Sequence, residues 1–326
     1  MVNPYAINPV EPVSSNDARQ ASRLPMRLLF TALACCTASL VIHWVIMWLT
    51  LEPEHLQAYL NNLWQLAAYW LSALAVDGCS ALLLARYYLQ RHNLVDVSRP
   101  ERLIALFVGL YLIAIFVVGL LYNLIWAQIG PWLYESASSL SPTLLMLPLN
   151  LVSFMLASLL PLWLSLHLMR RAGQFQTGLT RVSRGETALA FGLLFLVCYT
   201  KLLTLLPSTA ISPYGMEWML GLSSAIGLVY GLVALIAAHR SLPAQLPQLA
   251  VGRLLASVLA CMVSWLLVAG VLGFVLLVAL YAGSETLVLV LMLSFGILLL
   301  ALLWPLTHLS LRWIYRPLVA LSLIHI

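Results

Sequence analysis

Charge is what this chain has least of. Asp, Glu, Lys and Arg make up 8% of its 326 residues, where an ordinary soluble domain carries about 25%. Lysine is nearly missing: Lys201 is the only one, and every other basic side chain is arginine. Hydrophobic residues reach 63%, which excludes both a soluble globular domain and a disordered chain. The net charge of +5 comes from arginines spread along the chain rather than gathered on one face, so no nucleic-acid partner is expected. The few cysteines (Cys35, Cys36, Cys79, Cys198, Cys261) all fall inside apolar runs. There they behave as small hydrophobes, and neither disulfides nor a metal site are expected. Long hydrophilic stretches are also lacking. No gap between apolar runs exceeds about 20 residues, too few for a folded soluble domain. No catalytic or cofactor motif stands out.

What is present is alternation. The basic gaps hold Arg19, Arg23 and Arg27; then Arg86, Arg91, Arg99 and Arg102; then Arg170, Arg171, Arg181 and Arg184; then Arg240 and Arg253; then Arg312 and Arg316. The gaps between them hold Glu52, Glu54 and His55, then Glu135, then Glu217, then Glu285, and no Lys or Arg. The runs separating them approach the roughly 20 apolar residues that a helix needs to cross a bilayer. Short loops rich in Lys and Arg stay cytoplasmic. The expected fold is therefore all-α: a polytopic membrane helical bundle of eight transmembrane helices with both termini cytoplasmic. The crossings fall near 27–50, 63–86, 102–127, 143–169, 187–206, 215–238, 253–281 and 286–311. The seventh exceeds one bilayer thickness, so it should tilt or project. Residues 1–25, polar and carrying Pro4, Pro9, Pro12 and Pro25, read as a disordered cytoplasmic tail. The eight-helix transmembrane domain is expected over 26–316. The expected location is the bacterial cytoplasmic (inner) membrane, with the lipid bilayer as partner.

Arg27-Leu28-Leu29 through Ala34-Cys35 returns as Arg253-Leu254-Leu255 through Ala260-Cys261. Both strings open a crossing in the same direction. Either an ancestral duplication or the shared demand for arginine at a cytoplasmic helix start accounts for them.

Polar residues inside the runs are the candidate site. Asp77 is the only carboxylate deep within a crossing, where charge costs about 2.5–3.5 kcal/mol on insertion scales. Gln65, Tyr69 and Ser80 share its helix and, with Asn62 and Ser72, form a face at helical spacing with Asp77 at its edge. One reading is a wet seam around a proton- or cation-binding carboxylate; the other is a neutral or serine-bonded carboxyl that only glues helices. Lys201 lies about 9 Å from the outer end of the fifth crossing, and Asp77 about 20 Å below the outer surface. Glu217 is therefore the expected ion-pair partner of Lys201. Ser223, Gly227 and Gly231 form a small-xxx-small ladder that calls for close helix packing, within the bundle or across a homodimer. His43 has no second ligand at helical spacing and builds no metal site.

Before the chain end stands Leu311-Arg312-Trp313-Ile314-Tyr315-Arg316-Pro317-Leu318. Arg316-Pro317-Leu318 resembles the opening of a HAMP linker, the segment joining a last membrane helix to a signalling domain. The resemblance implies the membrane region of a bacterial multi-pass signalling protein, with residues 317–320 starting a cytoplasmic region. The last residues, Leu321-Ser322-Leu323-Ile324-His325-Ile326, match an in-frame translation of the mosaic-end adapter of transposase-based sequencing libraries. Residues 321–326 are thus expected to be a sequencing artefact and the chain a fragment.

Three functions follow as expectations. The first is the non-catalytic membrane-sensing region of a signalling protein, with a stimulus that reaches the membrane itself. The second is a small transporter or permease using Asp77, for an ionic or small hydrophobic ligand; no pair of Gly/Pro-broken helices in corresponding halves supports it. The third is a membrane scaffold or assembly protein. A lipid-modifying enzyme would need clustered polar side chains at a membrane face, and the basic loops offer only isolated Asp96, Glu101 and Glu186. No catalytic residue, bound cofactor or metal is expected.

Overall fold

A computed structural model describes residues 22–50, 63–136, 147–178, 182–205, 217–243, 245–246, 248–281 and 285–315. Its long helices are α1 (Leu24–Thr50), α2 (Leu63–Arg91), α3 (Pro100–Ser136), α4 (147–171), α5 (Arg184–Leu205), α6 (Glu217–Ser241), α7 (Val251–Tyr281) and α8 (Glu285–Ser310). Among the described residues, eight helical segments are long and apolar enough to cross a membrane. Over the described residues the backbone is about 89% helical, an all-α bundle. The starts and ends differ from the hydropathy reading by a few residues. α2 runs on to Arg91, and α3, at 37 residues, is longer than α7 at 31. At 1.5 Å per residue, α3 alone is about 55 Å long.

α4 is not a uniform helix. Residues 155–159 form a π turn in which the Leu160 N–H reaches the carbonyl of Met155. Pro161 follows at once. Its ring nitrogen has no hydrogen to give and its bulk crowds the preceding turn, so the ladder slips by one residue there. The last helix also ends in a π turn, Leu311–Tyr315.

The core is in two parts. One gathers α1 to α4 around Leu28, Leu89, Leu103, Phe107 and Leu166. The other gathers α5 to α8 around Phe191, Phe195, Leu254 and Leu303, and draws in Leu29, Cys79 and Leu82 from α1 and α2. α2 therefore belongs to both halves, and α5 is the most buried of the eight. The outward faces are apolar as well, with Phe116, Leu124, Val271, Phe274 and Ile297 more than half exposed.

The arginine-bearing segments meet at one end, joined by β structure that hydropathy does not show. β1 (Leu94–Val97), between α2 and α3, pairs antiparallel with β2 (Phe175–Thr177), after α4. β3 (Val182–Ser183), before α5, pairs antiparallel with β4 (Gln245–Leu246), after α6. Two short ribbons thus stitch three loops together. The turn into β1 passes through Asn93 at φ +50°, and the turn into β2 through Gly173 at φ +67°. Both are left-handed positions, which asparagine tolerates and glycine occupies freely.

Candidate functional site

Asp77 sits where α1, α2 and α3 meet. Tyr111 of α3 donates its hydroxyl to Asp77 Oδ2 at 2.9 Å. Cys36 of α1 faces the same carboxylate. The next residue explains how α1 comes so near: a Cβ on Gly78 would stand 3.0 Å from Leu33 Cδ2 and 3.3 Å from Leu29 Cδ1. Glycine here lets α1 lie close to the carboxylate's own turn without displacing the ends of those two leucines.

Of the other described members of the predicted polar seam, Tyr69 interacts electrostatically with Asp77 and Cys36, whereas Ser80 and Ser72 do not join them. Ser80 turns back to the Val76 carbonyl of its own helix. Tyr69 is 65% exposed on the outer face of α2. Ser72 is buried, with no partner for its hydroxyl. The Gln65 side chain and all of Asn62 lie outside the described residues. Tyr111 and Cys36 come to Asp77 from two other helices, which periodicity along α2 alone does not reveal.

The expected Lys201–Glu217 pair also lies partly outside the described residues. Lys201 is exposed in the last turns of α5, and Glu217 opens α6 with its side chain undescribed. Close by, Tyr199, Tyr230 and Trp265 pack edge to face, with centroids 5.1 to 6.1 Å apart. Tyr199 donates to the Ser223 carbonyl at 3.1 Å, and Trp265 Nε1 to the Leu299 carbonyl at 3.3 Å. The small-residue ladder faces α5. A Cβ on Gly227 would fall 2.5 Å from the Tyr199 ring, and one on Gly231 would touch Leu196 at 3.5 Å. Gly192 on α5 completes the contact, 3.1 Å from the Gly231 carbonyl if it bore a Cβ.

The basic end corrects the sequence reading, which set Arg86 among the arginines of a basic gap at the end of the second crossing and took Glu186 as an isolated carboxylate of a cytoplasmic loop. Arg86 lies within α2 with no exposed surface, and Glu186, in the first turn of α5, is 5% exposed. They form a bidentate ion pair, with Arg86 Nε donating to Glu186 Oε1 at 2.7 Å and Nη2 to Oε2. Nη2 also reaches the Ser22 carbonyl at 3.4 Å, just before α1. Two buried charges are tolerable only because the planar fork of one meets both oxygens of the other. A signal was present in the sequence: Ser183-Arg184-Gly185-Glu186 has the capping-box pattern. The Glu186 N–H does bond Ser183 Oγ, at 3.2 Å. Yet its carboxylate points to Arg86 instead of back to the cap.

Around this pair the helix ends are knotted together. With its amide oriented to match, Gln90 of α2 bonds the N–H and carbonyl of Leu249 at 2.6 and 3.2 Å. Ser241, at the end of α6, lies 3.0 Å from His308 Nδ1 of α8. Tyr315, 2% exposed, lies beside Ala250 and Thr187. Among the described residues, no three His, Cys, Asp or Glu side chains gather as a metal site requires. Comparison with protein-family models, with curated proteins and with solved structures finds no match for this chain.

Proposed function

We propose that this is a multi-pass protein of the bacterial cytoplasmic membrane with both termini cytoplasmic, and that its bundle is the non-catalytic sensing region of a signalling protein. The membrane part of this reading rests on the eight apolar helices, their apolar outward faces and the gathering of the arginine-bearing loops at one end. The observation that carries the sensing part is Tyr315. In the final π turn Leu311 and Tyr315 are buried while Arg312 and Trp313 face outward, and Tyr315 lies beside Thr187, the neighbour in sequence of the Glu186 that pairs with Arg86. A shift of α2 or α5 would therefore move the end of α8. The next residues in sequence are Arg316-Pro317-Leu318. Stimuli that reach the membrane itself, such as a lipid, a hydrophobic compound, or redox or proton state, suit such a bundle.

A second reading, a small transporter using Asp77, is favoured by the Asp77–Tyr111 contact at a three-helix junction. An intramembrane carboxylate is a functional-site hypothesis by default. Proteoliposomes separate the two. The sensing reading expects no flux of protons or alkali cations. It also expects hydrogen exchange at 311–315 and 182–187 to change together as pH, lipid charge or reductant is varied. Saturable flux that Asp77→Asn abolishes would replace it with the transport reading.

A further inference from the structure

A second polar feature lies at the basic end, apart from Asp77. A concavity of about 430 Å³ opens between the end of α2 and the end of α4, lined by Arg91, His92, Arg170, Gly173, Phe175 and Thr177 together with Leu94. No carboxylate is among these lining residues. Arg91 is steadied by its own helix: Nη1 donates to the Tyr87 hydroxyl at 2.8 Å, and the guanidinium stands over the Tyr87 ring at 5.9 Å. The His92 ring packs on Tyr88, centroids 4.6 Å apart. The opposite wall is held in place by the β1–β2 ribbon and by the Gly178 N–H bonding the Asn93 carbonyl at 2.9 Å.

Arginines in a last helical turn can serve simply to offset the helix dipole. The magnitudes show that more charge is present than that needs. Two helix C-termini bring roughly half a negative charge each, and two guanidiniums bring a full positive charge each. Part of the carbonyl ends is already occupied, since Asn93 N–H bonds the Gln90 carbonyl and Gly173 N–H the Arg170 carbonyl. The notch is left with about one net positive charge between like-charged walls. Arginine forks match phosphate oxygens, and the Thr177 hydroxyl adds a donor.

We propose that the notch between Arg91–His92 and Arg170–Thr177 is a binding site for a phosphate group, that of an anionic phospholipid headgroup or a free phosphate. The lipid source rests on the cytoplasmic placement of the basic end, where anionic lipids attract basic side chains. The reporter fusions described below test that placement separately, and binding of free phosphate does not depend on it.

The full chain, purified in detergent, is offered an equal mixture of phosphatidylglycerol and phosphatidylcholine and read by native mass spectrometry. In parallel, inorganic phosphate is titrated by calorimetry into delipidated protein. Wild type should retain phosphatidylglycerol preferentially, or bind inorganic phosphate with no lipid preference; the two results assign the phosphate to a lipid or to a free ion. Arg91→Gln with Arg170→Gln should weaken whichever binding is seen by about twenty-five-fold, at roughly fivefold per arginine. Both side chains are exposed, so the fold should survive, and a melting curve checks it. Arg91→Lys with Arg170→Lys should recover much of the binding. Arg253→Gln, an exposed arginine outside the notch, should leave it unchanged. The proposal is overturned if wild type shows neither preference nor phosphate binding, if the double Gln variant binds as wild type does, or if Arg253→Gln weakens binding equally.

Discussion

At the scale of single residues, two carboxylates have opposite histories. Asp77 is conspicuous in the sequence because it interrupts an apolar run, and the structure gives it Tyr111 and Cys36 as neighbours. Asp77→Asn keeps an acceptor for the Tyr111 hydroxyl, so the melting temperature in detergent should barely move. Tyr111→Phe removes a bond worth roughly 0.6 kcal/mol on average between membrane helices. If Asp77→Asn instead prevents folding, the carboxylate is a structural strut rather than a site. Glu186 was inconspicuous, one acidic residue in a basic loop, yet it neutralises a fully buried arginine. Arg86→Met should cost about 3–5 kcal/mol, because it strands Glu186 without a counter-charge. The double change Arg86→Met with Glu186→Leu should recover most of that loss. A double-mutant cycle by thermal unfolding reads both, and equal losses for single and double variants would contradict a buried pair.

At the scale of elements, the glycines determine how near α5 and α6 can come. A Cβ on Gly192 would stand 2.8 Å from Leu235 Cβ and 3.1 Å from a backbone carbonyl, neither of which can swing aside. On Gly231 the nearest atom is at 3.5 Å, an ordinary contact. Gly192→Ala should therefore destabilise by about 1–3 kcal/mol, the usual cost of overpacking, while Gly231→Ala should be close to silent. A matched pair of melting curves decides it, and equal effects would place the helix contact elsewhere. Gly227 and Gly231 were legible from spacing alone. Gly192 was not, because its relevance depends on which face of α5 meets α6. The ribbons were illegible for a similar reason: strands of two to four residues have no periodicity to detect, and their partners lie about 80 and 60 residues away along the chain.

At the scale of the whole molecule, orientation across the membrane is the prediction with the widest consequence. Reporter fusions after Arg171 and after Arg240 should report cytoplasm, and fusions near Glu135 and Glu285 should report the outside. One fusion of the opposite sign removes a crossing and reverses everything after it. The sequence by itself determined the number and approximate position of the helices, because the length of an apolar run follows from bilayer thickness and needs no knowledge of neighbours. It also singled out Asp77 and the small-residue ladder, each by contrast with its surroundings. Only the tertiary structure decided that Arg86 is buried, that Tyr111 comes to Asp77, and that Arg91 and Arg170 face one notch. Each of these joins residues tens of positions apart on different helices. The outward and inward faces of such helices are almost equally apolar, so composition gives little sign of which face meets which neighbour.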